Sequence, residues 1–312
     1  MVIDMRFTVI LVSLIFPILS GISFAQEKII SKTNTFYTSN DLQIYKNILH
    51  KFEVIGEKHT YDKSYNYSNH QWTIGFLSGI FKKYPKIRKE ILNKSTSKFV
   101  QGAFLISLYR ANIPNEAEKY AASNLSEKWS NYYKTRILSL EEVIPRDTPS
   151  ENDLLLGAFA ATGTKQYIYN MLYYFEKENI EKITDAIKVG LLIEKFGPEM
   201  TPKKGYKTKI TSAFVKKYNA KNDIKSYLHL MTMGVAIWSI RSNMKKDDNL
   251  KKLFEDFLSK NKILKPILKS EINYLSNYIV DFIGYNATKS NILKKSLDRY
   301  ESLETQINFN KI

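Results

Sequence analysis

Residues 148–174 read TPSENDLLLGAFAATGTKQYIYNMLYY, and this stretch decides the fold class because it holds a helix start, a helix stop and a second start in succession. Thr148 stands where an N-cap belongs, Pro149 takes the first helical position, where its missing N–H is no loss, and Glu151 can close a capping box. Leu154, Leu155, Ala158, Phe159 and Ala161 then form an apolar face. Gly163 ends the helix where a left-handed backbone is cheapest, and Thr164 caps the next one. The stretch is a helical hairpin, and Gly157, among Ala158, Ala160 and Ala161, is expected where another helix crosses closely.

The same grammar extends upstream. Leu42, Tyr45, Ile48, Leu49, Phe52 and Ile55 recur at helical spacing up to Gly56. From His70 an apolar helix seeded by glycine turns at a proline into a more polar helix. Trp72 to Ile80 turns at Pro85 into Lys86 to Leu92, and Phe99 to Leu108 turns at Pro114 into Asn115 to Ala122. Trp129 to Leu140 reads as an aromatic helix. Downstream, Ile180 to Ile193 forms a helix stopped by Gly197 and Pro198, followed by the basic loop TPKKGYKTK at 201–209. Ala213 to Tyr218, Ile224 to Met244, Leu250 to Leu258, Ile263 to Phe282 and Ser290 to Ile307 complete the helical segments. No run alternates as a half-buried strand requires, so the expected fold is all-α, built of irregularly stacked helical hairpins, solenoid-like or a multi-helix bundle.

The first 25 residues stand apart. Phe7 to Phe16 is almost wholly apolar, Pro17 to Gly21 breaks the run, and Ser23-Phe24-Ala25 offers small residues at both recognition positions before Gln26. This is the pattern of a cleaved signal peptide, and the run is shorter than the roughly 18 residues a span needs. The expected organisation is a signal peptide over 1–25, a flexible lead-in over 26–40 and one all-α domain over 41–312, with 198–209 as the place where it could divide. The sequence has no cysteine, so an exported chain of this kind stands on its packed core and cannot carry a lipobox. A periplasmic or secreted location follows.

The net charge of +16 favours anionic partners. Lysine supplies most of it: the 47 basic residues include only seven arginines, at 6, 88, 110, 136, 146, 241 and 299. Nucleic-acid readers lean on the arginine fork, so the balance disfavours nucleic acid. A genome poor in G and C also enriches Lys, Asn, Ile and Tyr, and that drift is the competing source of the charge. The two densest positive stretches, Lys82, Lys83, Lys86, Arg88 and Lys89, then Lys203, Lys204, Lys207 and Lys209, form the candidate surface for an anionic envelope component.

Catalytic and cofactor motifs are missing. Five residues separate Gly157 from Gly163, and Thr164 precedes Lys165, so the segment is not a phosphate loop and no nucleotide is expected. His50, His59, His70 and His229 form no helical pair at zinc spacing, so neither a metal nor another cofactor is expected. There is no Gly-x-Ser-x-Gly elbow. Glu301-Ser302, the lone Glu-Ser pair, lacks the glycine-rich sequel of lytic transglycosylases, and Glu141, Glu142, Asp147, Glu151 and Asp153 read as structural carboxylates. Among aromatics, Trp129, Tyr132 and Tyr133 at helical spacing read as core or hairpin contacts. Tyr61, Tyr65 and Tyr67, in an aperiodic segment, read as an exposed binding strip.

The runs DLLLGAFAATGTKQYIYNML, with Gly157, Ala158, Phe159, Thr162 and Gly163, and VAIWSIRSNMKKDDNLKKLFEDF, with Trp238, Ser239 and Asn243, resemble a family of uncharacterised helical proteins, many exported from bacteria. The resemblance implies an all-α fold and carries no catalytic residue. The expected function is that of an exported, non-enzymatic helical binding or scaffold protein of the bacterial envelope, with a protein or an anionic envelope component as partner. The alternatives are an envelope hydrolase with a carboxylate site and a secreted effector that binds a host partner.

Overall fold

Pro85 and Pro114 open helices where expected, while the helix expected to start at Pro149 begins one residue later, at Ser150. The computed structural model describes residues 36–39, 41–57, 67–94, 96–196, 217–219 and 222–273, and every regular element among them is helical. The expected all-α fold is therefore observed. The chain divides into two compact units, one of Met1–Ile144 with Asp153–Asn170, the other of Pro145–Asn152 with Met171–Ile312. Residues 198–209, where a division was expected, lie outside the described residues, as do the segments 1–25 and 290–307.

The first unit holds α1 (Phe36–Ser39), α2 (Leu42–Glu57), a 3-10 turn at Tyr67–His70, α3 (Gln71–Lys83), α4 (Pro85–Leu92), α5 (Lys98–Arg110), α6 (Pro114–Asn124) and α7 (Glu127–Lys134). It also takes most of α8 (Ser150–Thr162) and of α9 (Lys165–Leu172). Pro85 and Pro114 open α4 and α6, and the Ser97 hydroxyl caps α5 by accepting from the Val100 N–H. Gly163 closes α8 at φ +70°, its N–H donating to Phe159 O at 2.7 Å.

The centre of this unit is the contact between α3 and α8. A Cβ on Gly75 would lie 1.8 Å from the Leu154 carbonyl oxygen, and one on Gly157 would lie 2.1 Å from that of Trp72. Two helices can come this close only where neither carries a side chain, so the expected crossing at Gly157 is reciprocal, glycine admitting backbone from each side. Gly79 faces Ala161 and Thr162, and Lys83 Nζ donates to Thr162 O at 2.6 Å, so α3 and α8 run in the same direction. Antiparallel α5 packs on α3, with Ser107 Oγ donating to Ile74 O and Phe104 edge-on to Phe81.

Two expectations about this unit change. The lead-in over 26–40 was expected to be flexible, yet Phe36 is fully buried, 5.6 Å from Phe76 and 5.5 Å from Tyr84 between ring centroids. Tyr37 adds a second contact, its ring centroid 5.3 Å from that of Phe159, so two aromatic rings tie this short helix to the unit. The aromatic helix expected over Trp129 to Leu140 ends at Lys134, because the N–H groups of Arg136 and Ile137 both turn back to Tyr133 O and that of Leu140 donates to Arg110 O.

The second unit holds a 3-10 turn at Tyr173–Glu176, α10 (Ile180–Phe196), α11 (Ile224–Met244), α12 (Asp248–Lys260) and α13 (Leu264–Asn273). Asp223 and Asp247 cap α11 and α12 through hydrogen bonds to main-chain N–H groups. Here α10 and α11 repeat the device of the first unit: a Cβ on Gly190 would lie 2.6 Å from Gly234 O, and one on Gly234 would lie 2.5 Å from a Val189 methyl. Glu178 meets His229 just before this crossing and Glu194 meets Arg241 after it, so α10 and α11 are also parallel.

Candidate functional site

The basic stretch of the first unit is partly spent on its own fold. Lys82 Nζ lies 2.7 Å from Glu141 Oε1, Lys83 binds the last turn of α8, and Arg88 pairs with Glu116 at 3.0 Å while also donating to Phe81 O. These three cations hold local partners; Lys82, Lys83, Lys86 and Lys89 are exposed and Arg88 is half-buried. Lys203, Lys204, Lys207 and Lys209 lie outside the described residues.

The expected aromatic strip is corrected at Tyr67, which is buried. Its hydroxyl donates to Phe99 O at 2.8 Å and its ring stacks on Phe99 at 5.1 Å. Tyr61 and Tyr65 lie outside the described residues. A tyrosine near the end of an aperiodic segment, beside a strongly apolar helix, docks on that helix instead of facing water.

Surface aromatics occur instead on α7. Ser130 turns inward, its Oγ 2.6 Å from the Tyr109 hydroxyl, and Lys134 reaches Glu118 at 2.6 Å. With the inner face fixed, Trp129, Tyr132 and Tyr133 fall at i, i+3 and i+4 on a common side of α7, and Arg136 follows in the turn beyond it. Trp129 stacks on Tyr133 at 5.6 Å, Tyr132 stands edge-on to Tyr133 at 5.1 Å, and the Arg136 guanidinium lies 4.0 Å from the Tyr132 centroid. Tyr132 is 47% exposed and Leu138, four residues beyond the helix, 51%. The Arg110 guanidinium donates to Leu138 O at 2.9 Å, which holds that segment at the C-terminal end of α5. These rings were read as core or hairpin contacts, and Tyr132 corrects this. The signal that could have found the site is the polar composition of EKWSNYYK, whose aromatics have almost no aliphatic neighbours to bury with.

Carboxylates and histidines of the described residues are largely enclosed in structural hydrogen bonds. Glu141 Oε1 also accepts from the Tyr167 hydroxyl at 3.0 Å, and the Ser139 hydroxyl and N–H hold the Glu142 carboxyl below the usual carboxylate range. In the second unit, buried His229 places Nδ1 2.7 Å from Arg146 O and Nε2 2.8 Å from Glu178 Oε1. Both ring nitrogens are therefore engaged by groups of the fold itself. Burial pushes Glu178 up, but the hydrogen bond from His229 and the charge of Lys182 outweigh it, so its carboxyl lies below the ordinary range. Tyr218 and Lys217 both reach Asp185 Oδ2, at 2.8 and 2.6 Å. Fully buried Arg241 donates through Nε to Glu194 Oε2 at 2.9 Å.

Asp153 differs from these. It stands in the first turns of α8, partly exposed as a residue, and burial of its carboxyl pushes it up to about 7. His50 is exposed and His70 lies edge-on to Phe52 and Phe99. Among the described residues no group of three or more His, Cys, Asp or Glu could hold a metal ion, and no helix is long and apolar enough to cross a membrane. No family model, curated protein or solved structure matches the chain, so the resemblance to exported helical proteins stands as an expectation from residues 153–172 and 235–257.

Proposed function

We propose that the chain is an exported helical protein of the bacterial envelope that works by binding, as an adaptor or scaffold, and takes an anionic envelope component as its partner. The observation that carries this reading is the surface around α7, where Tyr132 and Arg136 are exposed beside the half-buried rings of Trp129 and Tyr133. Aromatic and arginine side chains are the commonest anchors of binding surfaces. The charge of +16 supports an anionic partner, and the pattern of residues 1–25 supports export.

The test is binding of the purified chain to a soluble anionic polymer across a salt series. Attraction of this kind is screened over about 10 Å at 0.1 M salt, so affinity falls steeply as salt rises. Because Lys82, Lys83 and Arg88 hold local partners, Lys86→Glu with Lys89→Glu is the charge reversal that leaves the fold intact. Wild type and this variant binding alike would assign the charge of that stretch to compositional drift.

A further inference from the structure

The second unit encloses a charged group whose hydrogen bonds its own side chains and backbone meet only in part. Arg241 is fully buried on α11, and its guanidinium is held through Nε alone, which donates to Glu194 Oε2 on α10 at 2.9 Å. Nη1 and Nη2 are enclosed as well, and no acceptor among the described residues reaches either of them. A guanidinium carries five N–H donors in a rigid plane, so four of them remain for another partner, two as a parallel fork at the tip. Burying a donor without an acceptor is costly, and more so when the group is charged. A carboxylate meets such a fork with two parallel hydrogen bonds.

Position and charge narrow the ligand further. A Cβ on Gly190 would lie 3.1 Å from Ile237 Cβ, and Glu194 and Arg241 each follow one turn later on the same two helices. The pair therefore stands just past the closest approach of α10 and α11, where crossing helices part. Glu194 Oε1 lies 3.6 Å from Lys245 Nζ, and the Lys245 side chain is 41% exposed, so the cluster reaches from the interior to the surface at the end of α11. Asp247, the next carboxylate along the chain, accepts from the N–H groups of Asn249 and Leu250. Two cations thus face the single carboxylate of Glu194, a balance that suits a monoanion and disfavours a doubly charged one.

We propose that the second unit binds a small monocarboxylate at Arg241, its two oxygens accepting from Nη1 and Nη2 and Lys245 balancing its charge on the solvent side. The enclosed position restricts the ligand to a short acid, and entry needs local opening of the helix ends. This site is separate from the envelope contact proposed above and does not depend on it.

The experiment is titration of the full chain with sodium acetate, against sodium chloride at equal ionic strength, read by saturation-transfer NMR on the acetate methyl and by thermal melts. Wild type is expected to give a saturable transfer signal, and its melting temperature to rise by about 3 to 6 °C at ten times the dissociation constant. Arg241→Met with Glu194→Met replaces the buried pair by apolar groups, which the fold should tolerate, and both the signal and the acetate-dependent rise are expected to vanish. Lys245→Gln alters an exposed side chain and is expected to weaken acetate binding about two- to fivefold. A wild type without a saturable signal at acetate concentrations that fill a site of about 1 mM affinity would overturn the proposal, as would a signal that persists in the double variant. Should the double variant not fold, Lys245→Gln decides, since acetate bound as tightly as by wild type would overturn the assignment to this cluster.

Discussion

Replacing Gly157 by alanine adds one methyl group at the closest approach of α3 and α8. The new Cβ would stand 2.1 Å from Trp72 O and 2.9 Å from Phe76 N, whereas ordinary contact begins near 3.4 Å. Both obstructing atoms are backbone, so no rotamer change relieves them, and the helices must part by about 1 Å at the crossing. Overpacking of this kind costs about 1 to 3 kcal/mol. Alanine's better helix propensity returns about 1 kcal/mol. Because the obstruction is main chain, the upper part of the range applies, and the net loss is about 2 kcal/mol. At about 2 to 4 °C per kcal/mol for a chain of this size, the melting temperature falls by about 4 to 8 °C. Thermal and urea melts followed by circular dichroism read this directly. Gly75→Ala faces the opposite side of the same crossing, so the double variant should lose less than the two single losses together, since helices already parted admit the second methyl cheaply. A Gly157→Ala protein as stable as wild type would refute the close-packing argument.

Other outcomes follow from single sites. Glu194→Gln leaves the buried Arg241 guanidinium without its counter-charge and should cost about 3 to 5 kcal/mol in urea melts, whereas Arg241→Met with Glu194→Met should restore most of that loss. Asp153, raised from 3.8 to about 7 by burial, keeps its proton in the folded chain over a range in which the unfolded chain has lost it. Stability attributable to it therefore falls as pH rises through that window, and Asp153→Asn should melt higher than wild type at about pH 8 and no higher at about pH 3. Glu178 has the opposite sign: its lowered carboxyl stabilises the fold above the ordinary carboxylate range, and the advantage of wild type over Glu178→Gln should vanish as pH falls through the folded-state value. Tyr67→Phe removes the buried hydrogen bond to Phe99 O and should cost about 1 kcal/mol in the same melts. Intact-mass measurement of protein from its native envelope should find Gln26 as the first residue; a chain still beginning at Met1 or Met5 would count against export.

Helix positions were legible because their signals are local. Pro85, Pro114 and Gly163 act on the backbone within a turn of themselves, and the structure honours each of them. The close crossing at Gly157 was legible from its small neighbours, but its partner was not. Gly75 and Gly157 are far apart in sequence, and nothing local says which of several glycine-bearing helices will meet. The same holds for Gly190 and Gly234. The exposure of the aromatic residues was misread in both directions for one reason. Whether an aromatic residue is buried depends on what lies across from it, so periodic Tyr132 was expected inside and is exposed, while aperiodic Tyr67 was expected outside and is buried on Phe99. The ion pairs were not legible either, since Lys82 and Arg88 meet Glu141 and Glu116 only once the chain is folded.

The account rests on an exported protein held by charge to an anionic envelope component, and one measurement bears on it most directly. Envelopes isolated from cells expressing the full chain are washed at increasing salt and the fraction of mature protein retained is recorded. Retention at about 0.05 M salt and progressive release towards about 0.5 M are expected, with Lys86→Glu, Lys89→Glu and Arg136→Gln combined shifting release to lower salt. Protein that is free of the envelope at the lowest salt, or that stays bound equally at every salt concentration and in the combined variant, would contradict it.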